Sequence, residues 1–177
     1  MFVLYAVVIG IVAGYALGGR LGRMESVRIR WPWLAFAALA VQVVLFLPRV
    51  GDALGPVAPV VYVASSLAVL VVILVNVRIP GVALIGAGAA CNLVAILANG
   101  GSMPASPAAL ASLGWTDGAG YSNSVVRPDV AIAPLTDVFA LPAWLPLANV
   151  FSFGDVLIAV GLAVAIAWAM RRPAAAA

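Results

Sequence analysis

The chain of 177 residues is 66% hydrophobic and 8% charged, with a formal net charge of +3. Soluble domains carry about 25% charged residues, so the composition excludes an ordinary water-soluble fold and reads as an integral membrane protein. Histidine and lysine are absent and Cys91 is the single cysteine. This excludes Ser-His-Asp and Cys-His nucleophiles, the usual nitrogen ligand of zinc, a disulfide framework and a thiolate cluster, so no metal and no cofactor is expected.

A helix needs about 20 mostly apolar residues to cross the hydrocarbon core, and runs near that length occupy 1–19, 31–47, 56–77, 80–98 and 151–170. The expected fold is all-α: one integral membrane domain over 1–177, a polytopic bundle of five transmembrane helices with one long extracytoplasmic loop over 99–150. The first run has no basic residue ahead of it and arginines behind it, so it reads as an anchor rather than a cleaved signal peptide. It carries Gly10, Gly14, Gly18 and Gly22 at four-residue spacing, a face that lets helix backbones approach closely in lipid. Packing against the protein's own helices is the favoured use of that face; homo-oligomerisation through Gly10, Gly14 and Gly18 is the other.

All nine basic residues are arginines. Arg20, Arg23, Arg28 and Arg30 crowd the first connection, Arg78 marks the third, and Arg171 and Arg172 follow the last run. The cytoplasmic preference of short basic loops places these segments inside. Arg49 with Asp52, and Arg127 with Asp117, Asp129 and Asp137, then lie outside. The expected protein sits in a bacterial plasma membrane with its N-terminus outside and its C-terminus in the cytoplasm. Its partner is the lipid bilayer and not nucleic acid, because the arginines are not interleaved with exposed aromatics.

Within 99–150, "SPAALASLG" reads as a short helix capped by Ser106, with Pro107 at its first position and Gly114 ending it. "TDGAGYSNS" reads as turns. Pro128, Pro134, Pro142 and Pro146 rule out a long helix beyond it, leaving a lid folded back on the outer surface.

Polar residues inside apolar runs are costly and often mark a site or face the bundle interior. Gln42 precedes Arg49 by seven residues and Asn92 precedes Asn99 by seven, which puts both amides roughly 10 Å below the outer boundary. Ser65 and Ser66 reach a similar depth, and Asp155 enters the last run from the same side. Converging, these faces would form a polar pocket open to the outside, with Asn92, Asn99, Gln42, Arg49, Asn149 and Ser152 as binding residues. Each also has a structural use. Serines bond their own helix carbonyls, amides join helices, and "SFGD" has the spacing of a capping box with Ser152 at the cap and Asp155 three residues on.

"NGGSMP" at 99–104 and "NVFSFGD" at 149–155 resemble a bacterial family of small multi-pass membrane proteins of unknown function, which implies no activity. The C-terminal half also resembles the prolipoprotein signal peptidases, membrane aspartic peptidases. "GAACNLVAI" places Asn92 at that family's asparagine, "TDVF" places Asp137 at its first catalytic aspartate, and "FSFGD" places Asp155 at its second. Ala95 and Ile96 stand where that family has an Asp-Arg pair. The resemblance implies an Asp137/Asp155 dyad in which one carboxyl holds a proton and the other activates water.

The favoured functional reading is an uncharacterised multi-pass protein that binds a lipid, lipopeptide, peptide or membrane partner in an outward polar pocket under a proline-rich lid. The alternative is an aspartic-peptidase-like hydrolase. A small transporter comes third, since transport favours polar groups through the full thickness and repeated halves.

Overall fold

The computed structural model describes residues 2–115, 124–126 and 129–173. Its helices are α1 (Phe2–Ala16), α2 (Pro32–Leu45), α3 (Pro48–Leu54), α4 (Ala58–Val75), α5 (Val82–Ala98), α6 (Pro107–Ser112) and α7 (Phe153–Arg171). Short 3-10 turns occupy Leu21–Ser26, Gly55–Val57 and Ala133–Leu135.

Each of the five apolar runs becomes a helix: α1, α2, α4, α5 and α7. Gly55–Val75 and Phe153–Arg171 are long and apolar enough to cross a membrane, while α1, α2 and α5 are apolar but shorter. Local chemistry trims them. Gly18, at φ +78°, ends α1, and the amides of Gly18 and Gly19 return to the carbonyls of Tyr15 and Gly14, the paired bonds of a Schellman motif. Trp31 (φ 56°) and Gly81 (φ 87°) take left-handed conformations immediately before α2 and α5.

The chain is predominantly helical, with a few two-residue strands in and beside the lid. There β1 (Met103–Pro104) pairs in parallel with β2 (Ser124–Val125), and β3 (Phe139–Ala140) pairs antiparallel with β4 (Val150–Phe151). The prolines that exclude a helix leave extended backbone, whose polar groups must still find partners. The short helix α6 forms from Pro107, with Gly114 at φ +71° beyond it, but Ser106 makes no side-chain cap. Asp117, Arg127 and almost all of "TDGAGYSNS" lie outside the described residues.

The long helices form a row in which α1 packs on α7, α7 on α5, α5 on α4 and α4 on α2. α1 runs parallel to α7. Phe2 stacks on Phe151 with ring centroids 4.3 Å apart, Gly10 faces the backbone of Ala163, and Gly14 faces Met170, which is wholly buried. Gly10 and Gly14 are therefore used inside the chain, whereas Gly18 and Gly22 meet nothing within 4 Å. α5 and α7 run antiparallel along a glycine seam, Gly81 against Gly161 and Gly88 against Gly154, each glycine facing the other's carbonyl.

The segment between α1 and α2 is a strap across one end of this row. The Arg20 amide donates to the Met170 carbonyl (2.8 Å) and Arg172 Nη1 donates to the Ser26 carbonyl (3.1 Å). At the opposite end the lid packs Met103 on Ala95 and Ile96 of α5, with Tyr62 and Leu135 beside them. A second small core joins Ala105, Ala109 and Val150.

Candidate functional site

The polar residues of the apolar runs divide into separate networks. On α2 and α4, Gln42 Nε2 donates to Ser65 Oγ (3.1 Å) and Ser66 Oγ (3.2 Å), and Ser65 Oγ donates to the Tyr62 carbonyl (2.8 Å). Ser65 is buried, and Gln42 joins the two helices.

On α5 and α7, three side chains close a ring. Asn92 Nδ2 donates to Asp155 Oδ1 (2.8 Å), the Asp155 amide donates to Ser152 Oγ (3.0 Å), and Ser152 Oγ donates to Asn92 Oδ1 (2.8 Å). Asp155 Oδ2 accepts from the Ser152 amide (3.0 Å), completing the capping box. Both carboxylate oxygens are thus engaged at a helix N-terminus, where backbone donors and the helix dipole favour negative charge. Gly154 makes the ring reachable: a Cβ there would collide with Asn92 Oδ1 and stand 2.7 Å from the Gly88 carbonyl.

Asp137 lies on the lid, two residues before β3, which pairs with β4 just ahead of α7. Its residue is 5% exposed. Its amide donates to the Pro104 carbonyl (3.0 Å), its carbonyl accepts from the Ser106 amide (2.9 Å), and it forms a parallel bridge with Ala105. The fold therefore brings Asn92, Ser152 and Asp155 together and ties Asp137 to the strand before α6. Arg49 is exposed on α3. Asn149 Nδ2 donates to the Val150 carbonyl (2.7 Å), and its buried Oδ1 accepts no hydrogen bond among the described residues. Among the described residues, no three Cys, Asp or Glu side chains converge as metal ligands would.

Asn99 fastens the lid. Its Oδ1 accepts from the Ala131 amide (2.9 Å), and its Nδ2 donates to the carbonyls of Ala131 (2.9 Å) and Ala95 (2.8 Å). Asn76, which the sequence reading passed over, repeats this arrangement at the other end of the row. Its Oδ1 accepts from the Arg30 amide (2.8 Å), and its Nδ2 donates to the carbonyls of Arg30 (2.9 Å) and Val72 (2.7 Å). Both asparagines are buried caps at helix C-termini with nearly equal φ, −110° and −111°. The shared signal is "ILVN" at 73–76 and "ILAN" at 96–99: an asparagine one step past an apolar run, where its side chain can satisfy a crossing peptide and an orphan helix carbonyl together.

No curated protein and no solved structure matches the chain. Residues 26–167, from the strap through most of α7, match a family of unknown function (DUF5317), and the match takes in the Asn92–Ser152–Asp155 ring and both asparagine clasps. The protein belongs to that family of unknown function.

Proposed function

We propose that the protein is a multi-pass plasma-membrane protein whose outward face, under the 99–150 lid, binds a lipid, peptide or membrane partner. The observation that carries the membrane part is the apolar perimeter: all five long helices present large hydrophobic side chains outward, Val12 on α1 at 62% exposure and Phe36 on α2 at 71% among them. Water-soluble monomers rarely expose continuous apolar surface of this kind, whereas acyl chains cover it at no cost. On this reading five helices traverse the bilayer, with the N-terminus and lid outside and the C-terminus inside, as the arginine distribution requires.

The lid supports the binding part. Trp144 is 80% exposed, and Leu147, also exposed, sits at φ 58°. A bulky side chain seldom adopts that left-handed backbone, and such strain concentrates where a side chain must be presented in a fixed direction. Two experiments test this reading. Periplasm-active and cytoplasm-active reporters fused at each terminus and inside the lid should report outside, outside and inside for N-terminus, lid and C-terminus; any other pattern overturns the topology. A photoreactive phenylalanine at position 144 should give adducts in intact cells that are absent when it stands at Phe36, and identical adducts at both positions overturn the outward binding face.

A second reading, an aspartic-peptidase-like hydrolase using Asp137 and Asp155, draws on the burial of Asp137 and on the Asn92 bond to Asp155. Asp137→Asn and Asp155→Asn, each confirmed in the membrane, would both block processing of lipid-anchored exported proteins. Normal processing in both variants overturns it.

A further inference from the structure

The cytoplasmic end of the row holds a cavity that none of the preceding networks uses. It measures about 360 Å³ and lies open to one side between the strap and the ends of α4, α5 and α7; small-molecule sites occupy roughly 300–1,000 Å³. Val27 and Ile29 of the strap, Ile73 of α4, Ile85 of α5, and Ile166 and Trp168 of α7 give it aliphatic and aromatic walls. The single polar side chain in the lining is Asn76, whose hydrogen-bonding atoms are spent on Arg30 and Val72. The lining is almost wholly apolar, so the interior fits a hydrocarbon chain.

The segments that frame the cavity are basic. Arg20, Arg23, Arg28 and Arg30 lie on the strap, Arg78 follows α4, and Arg171 and Arg172 close α7, against Glu25 as the one acidic residue of these segments. Among the described residues these arginines form no ion pair with a carboxylate. Arg172 already stands at the cavity wall, its guanidinium 5.1 Å from the centroid of the Trp168 ring and its Nη1 bonded to the strap. Guanidinium groups match phosphate oxygens in charge and in geometry, and basic pockets between helices on the cytoplasmic side bind anionic lipid headgroups.

We propose that this cavity is a site for one anionic phospholipid of the inner leaflet, an acyl chain filling the space behind the strap and the phosphate lying on the arginines at its mouth. This rests on the membrane reading above but concerns the opposite face from the lid.

The test uses the full-length protein. Carbonate extraction comes first: release from the membrane overturns both readings, while retention leaves the lipid site as the sole question. Native mass spectrometry of detergent-solubilised protein then compares phosphatidylglycerol with phosphatidylcholine of the same chain length. Phosphatidylglycerol should be retained about ten-fold better, and the double variant Arg28→Gln, Arg30→Gln should lower retention several-fold. Equal retention of the two lipids, an unchanged preference in the double variant, or full displacement by inorganic phosphate overturns the site. If that variant does not accumulate, phosphatidylglycerol brominated on its acyl chains is titrated into wild type. It should quench tryptophan fluorescence saturably, and Trp168→Phe should remove a saturable component. The same quenching in Trp168→Phe overturns the proposal.

Discussion

At the residue scale, Asp155 shows how a costly group becomes an inexpensive one. A carboxylate in an apolar run would be penalised by several kcal/mol if left bare, yet here one amide side chain and one backbone amide take its two oxygens. The glycine beside it matters as much as the carboxylate. Gly154→Ala should lower stability by about 3 kcal/mol, because the new methyl group forces α7 away from Asn92 of α5 and opens the ring. Gly22→Ala, in open space, should stay within about 0.5 kcal/mol; thermal unfolding of the solubilised proteins compares the two. Ser152→Ala removes the cap and should cost about 1–2 kcal/mol. Combined with Asn92→Ala it should cost less than the sum of the single changes, since either one breaks the same ring. The capping box was legible in "SFGD" because it depends on local spacing. Its bond to Asn92 was not, since 60 residues separate the hydroxyl from its acceptor and only the pairing of α5 with α7 brings them together.

At the element scale, the small residues decide which helices touch. The glycine strip of α1 was legible as a contact face, but a missing side chain does not name its partner, and only the fold pairs Gly10 and Gly14 with α7. The strip also ends sooner than its spacing suggests, since Gly18 serves to stop the helix. Where α2 meets α4 no glycine seam exists, and Gln42 supplies the link instead. Gln42→Ala should therefore lower the melting temperature through a loss of about 1 kcal/mol, the usual scale of an interhelical hydrogen bond in a membrane. An equal loss for Val43→Ala, on an exposed position of the same helix, would show that the amide has no special part. The expected polar pocket was an inference from depth alone. The amides do lie inside the apolar helices, but Gln42 and Asn92 each close a network with the neighbouring helix.

At the scale of the whole molecule, hydropathy located every long helix, because the apolar runs differ so sharply from the segments between them. It did not reveal their order in the row, which depends on contacts far apart in sequence. Nor did it reveal the two asparagine clasps, which lie just beyond the ends of the runs. These clasps hold the lid at one end and the strap at the other by the same chemistry. Replacing either asparagine by leucine should free one crossing segment and leave the other in place. Limited proteolysis checks this: on the proposed topology, Asn99→Leu should expose the lid to protease added outside membrane vesicles, and Asn76→Leu should expose the strap to protease added at the cytoplasmic face.

The position of α7 bears on how the chain is made. The helix that both α1 and α5 pack against is made long after α1, so α1 must wait through the synthesis of the 136 residues between Ala16 and Phe153 before its partner arrives. Contacts between such distant segments form late. Until then the glycine face of α1 is open to any other helix with a small-residue stripe. A chain cut short before residue 153 would carry that face permanently, and cellular quality control would meet it as an unpaired helix.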